Sequence, residues 1–146
     1  MSKQIVTATP IAFDLGPGTV PILPHWVLNG SPLTRTKQLL RSRDYTSNIV
    51  VWECSAGSFN WHYNQDEMVV IVAGEVFITN EKGEERRLGP CDMAFFPAGT
   101  VVKWRVPQCV RKVAIVRETL WWPAGFALKA YKKLLRMVGL GGESPL

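Results

Sequence analysis

Cysteine, histidine and long apolar runs are all scarce in this chain of 146 residues. Its three cysteines, Cys54, Cys91 and Cys109, are odd in number and match no CxxC or zinc-ligand spacing. That excludes a disulfide framework and fits reduced thiols in a cytoplasmic protein. Histidine occurs only at His25 and His62. No apolar stretch reaches the roughly 20 residues that a membrane-spanning helix requires. The opening "MSKQIVTATPIAFDLG" lacks the charged, apolar and small-residue succession of a signal peptide. Internal repeats and low-complexity tracts are absent too.

A basic stripe along the body of the chain is also missing. The formal net charge is +5, but Lys129, Lys132, Lys133 and Arg136 against Glu143 place +3 of it in residues 121–146. The other residues carry only +2, which excludes the electrostatic footprint of a nucleic-acid-binding fold. The smaller cluster "RTKQLLRSRD", Arg35 to Asp44, reads as a solvated edge.

What is present is a hydrophobic content of 47%, enough for one domain with a real core. Residues 1–33 are rich in Pro and Gly and predict an irregular arm with short extended pieces. Residues 34–118 read as short β runs with turn signals between them. "NIVVWECSAG" ends at Gly57, "SFNWHY" follows, and "MVVIVAGEVFIT" breaks at Ala73-Gly74. "NEKGEE" predicts a hairpin turn with Gly83 at positive φ, and "VVKWRVP" and "CVRKVAIVRE" read as two further strands. Strands at this spacing predict an all-β sandwich or closed barrel. In residues 119–146 the period changes. "FALKAYKKLLRMVG" sets Leu128, Tyr131, Leu135 and Val138 opposite Lys129, Lys132, Lys133 and Arg136, and stops at Gly139. Three readings suit this helix: packing on the barrel or a second subunit, which we favour; peripheral contact of residues 126–138 with an anionic membrane; or a lid over a barrel mouth.

Alternation puts Asn60 and His62 on one strand face and Phe59, Trp61 and Tyr63 on the other; Val102, Trp104 and Val106 share a face likewise. Periodicity does not fix which face is inward, because both are apolar or aromatic. His62 reads either as a barrel-lining histidine bonded to Glu67 or a carbonyl, or as a proton-transfer group. Trp52, Trp61 and Trp104 read as core or as the cradle of a small-molecule pocket. Cys54 and Cys91 read as packing residues.

Gly57, His62, Glu67 and Gly74, then Cys91-Asp92, Pro97 and Gly99, resemble the two-part motif of the cupin superfamily, with Cys91 where Gly usually stands. Trp52-Glu53-Cys54, Phe59, Trp61, Asp66-Glu67, Gly74-Glu75-Val76, Phe96-Pro97-Ala98-Gly99, Trp104 and Val110-Arg111-Lys112 are similar to the small single-domain cupins of the ureidoglycine aminohydrolase and ethanolamine-utilisation group. The resemblance implies a single cupin β-barrel, a jelly-roll-like double-stranded β-helix. It places the family's metal-ligand positions on Asn60, His62, Glu67 and Val102, of which only His62 and Glu67 ligate well. His25 is a candidate third ligand. The expected protein is therefore a small-molecule-binding cupin, without a cofactor, whose pocket centres on His62 and Glu67 as catalytic or binding groups. Asn60, Trp52, Trp61, Val102 and Trp104 would line that pocket. A divalent metal (Mn, Fe, Ni or Zn) on His62 and Glu67 is the alternative, and would suit a hydrolase or isomerase acting on a small polar metabolite. Arg111 and Lys112 are expected to pair with acidic residues on a neighbouring strand rather than with an anionic ligand. The expected partners are a small molecule and a second copy in a homodimer, which also leaves room for a purely structural dimer.

Overall fold

The computed structural model describes residues 14–141; the first residues of the predicted arm (1–13) and the last of the tail (142–146) lie outside the described residues. In chain order the strands are β1 (Val20–Pro21), β2 (Val27–Gly30), β3 (Leu33–Arg41), β4 (Ser47–His62) and β5 (Asp66–Gly74). Then come β6 (Val76–Thr79), β7 (Glu85–Leu88), β8 (Met93–Phe96), β9 (Val101–Arg117) and the helix α1 (Trp122–Met137). A 3-10 turn, Pro24–Trp26, joins β1 to β2.

Every strand pairing is antiparallel, and the two long strands organise the rest. β4 and β9 pair along their whole length, from Ser47↔Arg117 to His62↔Val101. One half of β9 then takes β5 on its other side, and the other half takes β6. The sheet thus wraps into a barrel around Phe59, Ile71, Val76, Trp104 and Val110, all fully buried. Each such side chain contributes about 1.5–3 kcal/mol through removal from water.

The sequence predicts breaks at Gly57 and Pro107, but each lies inside one continuous strand. Both sit at the same irregularity, where register shifts between Ser55↔Cys109 and Gly57↔Val106. Proline has no N–H to give a ladder, and a bulge is where a sheet tolerates it. The shift also changes the phase of β4: Trp52 and Cys54 face the core before it, Phe59 and Trp61 after it.

The break predicted at Ala73-Gly74 and the hairpin at Gly83 stand as expected, joining β5 to β6 and β6 to β7. Among the described residues β3 is paired only with β4 beyond Thr34, so Arg35–Arg41 lie along a sheet edge. The helix ends in a Schellman motif: Gly139 has φ 75°, its N–H bonds Arg136 O, and Leu140 N–H bonds Leu135 O. None of its residues is buried, so of the favoured expectation, packing on the barrel or on a second subunit, the first half does not hold among the described residues. Among the described residues no helix is long and apolar enough to cross a membrane.

Candidate functional site

Period-two alternation along β9 points Val102, Trp104, Val106, Val110, Lys112 and Ala114 into the barrel. Lys112 is therefore a cation in a row of core residues. On β5 the same rule sends Glu67 inward with Val69 and Ile71. The two meet: Lys112 Nζ donates to Glu67 Oε1 at 2.5 Å, and the side chains are only 5% and 11% exposed. A buried charge is costly unless paired, and each of these ions is the other's partner.

Aromatic rings wall the pair. Lys112 Nζ lies 4.7 Å from the ring centroids of both Trp52 and Trp104, positions at which a ring face attracts a cation. Those two indoles meet edge to face at 5.7 Å, and Trp61 meets Trp52 at 5.9 Å. Tyr63 stacks on Phe96 at 4.6 Å, and its hydroxyl accepts from Trp104 Nε1 at 3.1 Å. The low dielectric of this interior shows in the titrating groups. Burial pulls Lys112 below its ordinary pKa against the opposing pull of Glu67. Burial first, then the charge of Glu67, pushes the Tyr63 phenol well up. Burial takes the Cys54 thiol up to about 12.

The expected pairing of His62 with Glu67 does not form. His62 lies on the outer face of β4, exposed, its ring stacked on Trp26 at 4.9 Å. Asn60 alternates onto the same outer face, half-buried and opposite Lys103. His25, in the 3-10 turn, is exposed as well and touches the outer side of the same Trp26 cluster. The physical reason is the phase change at Ser55–Gly57. It brings Trp61 and Tyr63, not Asn60 and His62, round to the interior that holds Glu67 and Val102. Trp52, Trp104 and Val102 lie on that inner side in the core cluster, with Trp61 packed against it.

A divalent metal does not fit this donor set. Glu67 already carries an ammonium, and Trp61 and Val102 have nothing to ligate with. Among the described residues no three His, Cys, Asp or Glu side chains are gathered as ligands.

The sequence predicts an acidic partner for Lys112 on a neighbouring strand, which Glu67 is, but does not place the pair in the barrel interior. The missed signal was its phase: Lys112 stands two residues from Val110 and from Ala114, as Glu67 stands two from Val69. Arg111, on the opposite face, pairs instead with Glu53 at 3.3 Å, beside Arg35. Cys54 is a packing residue as predicted. Cys91 is not: it is exposed, at φ 71°, the left-handed conformation that glycine adopts freely.

Where the β6–β7 hairpin and β8 spread apart, a cleft of about 340 Å³ opens into the barrel. Ile78, Ala94, Phe96 and Val102 form its apolar wall; Lys82, Glu84 and Arg86 are at its polar side. Phe96 links the two regions, since it lines the cleft and packs against Tyr63 and Trp104. Both carboxylates at the cleft have internal partners: Glu81 accepts from Val101 N–H at 3.1 Å and Glu84 from Asn80 Nδ2 at 2.8 Å. Neither Lys82 nor Arg86 has an ion pair among the described residues.

Comparison with known structures finds the same fold. The EutQ protein of Clostridium difficile is similar at 21% identity over 62% of this chain and 71% of its own, with a TM-score of 0.53. A protein of unknown function of the DUF861 family from Pseudomonas syringae pv. tomato is 22% identical over 70% of this chain, with a TM-score of 0.60. This chain spans 46% of that protein. A cupin superfamily protein from Desulfitobacterium hafniense is 19% identical over 59% of this chain and 78% of its own, with a TM-score of 0.51. Comparison with curated proteins returns no match. The model of the EutQ-like cupin domain matches residues 41–114, half of the sequence, from the last residue of β3 to Ala114, three residues short of the end of β9. The chain belongs to the EutQ-like cupin domain family.

Proposed function

We propose that this protein is a small-molecule-binding cupin that works without a metal, and that its ligand is a small carboxylate with an apolar or aromatic body. The observation that carries the reading is the cleft at the barrel mouth. Its wall of Ile78, Phe96 and Val102 suits an apolar body, and a volume of about 340 Å³ suits a small metabolite. Two cations at the cleft, Lys82 and Arg86, which have no ion pair among the described residues, select for an anionic head. The Glu67–Lys112 pair then serves as a rigid polar floor behind Phe96 rather than as the docking point.

The test uses benzoate as the probe and amide and side-chain chemical shifts as the readout. Benzoate is expected to shift Phe96, Val102 and Arg86 and to saturate, while the cation benzamidine does not. Val102→Trp, which fills the cleft, and Arg86→Gln are expected to weaken the response at least tenfold. Shifts that ignore both substitutions, or a matching response to benzamidine, would sink the reading.

The reading as a hydrolase or isomerase has one observation in its favour, an ammonium and a carboxylate held together in an aromatic interior, with burial lowering the lysine's pKa. The same burial counts against it, because a substrate in the cleft meets Phe96 before it meets either group. The homodimer is favoured by a second feature, the outer face of β5, β8 and β9. There Met68, Met93, Phe95 and Ile115 expose an apolar surface of the kind that subunits cover.

A further inference from the structure

We propose that α1 is a membrane-surface helix that lies in the plane of an anionic lipid headgroup layer. Three observations on the helix converge. The first is its charge. From Thr119 to Gly141 there is no Asp or Glu, while Lys129, Lys132, Lys133 and Arg136 supply four cations. At about 100° per residue these four fall within an arc of roughly 100°, a single cationic stripe. An anionic surface is its electrostatic complement, worth about 1 kcal/mol per cation near the headgroups.

The second is the width of the apolar face. Phe126, Met137, Leu134, Tyr131, Leu135 and Leu128 sweep an arc of about 200°. A helix that packs on one sheet or one partner helix needs a stripe of about 100°, and the remainder would stay wet. A lipid layer covers a broad arc at once, while the flanking lysines extend their stems upward and keep their ammonium groups in the headgroups. The third is that none of the described residues covers this face. Trp121 and Trp122, at the start of the helix, are 75% and 76% exposed, and Phe126, Leu134, Met137 and Leu140 are exposed with them. Adjacent tryptophans at the end of such a helix suit the water–lipid boundary.

The helix lies on the layer and does not cross it. Its 16 residues span about 24 Å, short of the roughly 30 Å hydrocarbon core, and its cations leave no wholly apolar segment. A 16-residue helix without tertiary support is also marginal in water, so lipid contact is expected to raise its helicity. The inference is independent of the ligand assigned to the cleft.

The experiment is co-sedimentation of the full chain with vesicles of phosphatidylcholine alone and of equal parts phosphatidylcholine and phosphatidylglycerol. Binding is expected to the second kind, to fall steeply with salt, and to drop about fivefold for each cation replaced in the series Lys129→Gln, Lys132→Gln, Lys133→Gln, Arg136→Gln. Trp121→Ala with Trp122→Ala is expected to weaken binding and to abolish a blue shift of tryptophan emission on vesicle addition. The competing occupant is a second copy, whose apolar face of β5, β8 and β9 would take the helix. Sedimentation velocity separates the two. A dimer that Phe126→Glu with Leu134→Glu converts to monomer, together with no binding to either vesicle, overturns the proposal. So does equal binding to both vesicle types, which would leave the cationic stripe without a role.

Discussion

Lys112 Nζ donates to Glu67 Oε1 at 2.5 Å between neighbouring strands, with the rings of Trp52 and Trp104 each 4.7 Å from the ammonium. Two consequences follow from the burial of both charges. Removing either one strands the other in an aromatic interior, which costs about 3–5 kcal/mol. Replacing both by apolar groups of similar size removes the pair and its desolvation penalty together. Glu67→Leu and Lys112→Met are each expected to lower the urea midpoint strongly, while the two together recover most of the loss. A double-mutant cycle in urea measures this, and strictly additive effects would show that the pair is not coupled.

His62 provides the opposite case. Its ring rests on Trp26 outside the barrel, and among the described residues it has no ion pair. His62→Ala is expected to change unfolding free energy by no more than about 0.5 kcal/mol, as for an ordinary surface change. Benzoate binding in the cleft should be unaffected. A loss of stability comparable to that of Glu67→Leu would restore His62 to the interior that the sequence suggests for it.

The contrast between these residues shows what the sequence could and could not specify. The barrel was legible because turn residues and β-branched runs recur with the period of short strands, and because the cupin-like spacing from Gly57 to Gly99 is intact. The inward face of β4 was not, since Asn60, His62 and Phe59, Trp61 both sit in plausible alternation. Only the register shift opposite Pro107 decides between them, and a one-residue shift exchanges every side chain between core and solvent. Glu67 and Lys112 were separately visible as an acid and a base in apolar runs. Their meeting depends on how β5 and β9 align, a tertiary fact. The helix was legible as an amphipathic element, but its period is silent on what covers it.

The cysteines offer a chemical test of the burial pattern. Cys91 and Cys109 are exposed and Cys54 is buried, with a thiol raised from 9.0 to about 12 by burial against the lowering pull of Lys112. Iodoacetamide at neutral pH is expected to add two groups, and a third only in denaturant, as read by intact mass. The linkage has a definite sign. The folded state keeps the Cys54 proton while the unfolded chain releases it, so stability is fully present below pH 9.0 and is lost as pH rises toward about 12. The Tyr63 phenol acts in the same direction, and Lys112, lowered by burial, acts in the other. Comparison with Cys54→Ala isolates the thiol: the variant should lose stability less steeply above pH 9. Equal slopes would mean that Cys54 is not shielded in solution.

Two glycines with nearly the same backbone angle separate strain from crowding. Gly74 has φ 73° and Gly83 has φ 81°, so an L side chain is strained at either, at a cost of about 1–3 kcal/mol. Around Gly83, in the β6–β7 turn, an added Cβ meets nothing within 4 Å. At Gly74 it would lie 2.1 Å from the Cys109 carbonyl oxygen, a backbone atom of β9 that also accepts from Glu75 N–H at 3.2 Å. That contact cannot be relieved by a rotamer change. It must displace β9 against β5 at the point where the chain turns into β6. Gly83→Ala is therefore expected to cost about 1 kcal/mol and to leave the fold intact. Gly74→Ala should cost several times more, or leave the protein insoluble. Thermal unfolding of the two variants side by side checks this, and similar melting temperatures would show that β9 yields at Cys109 without loss.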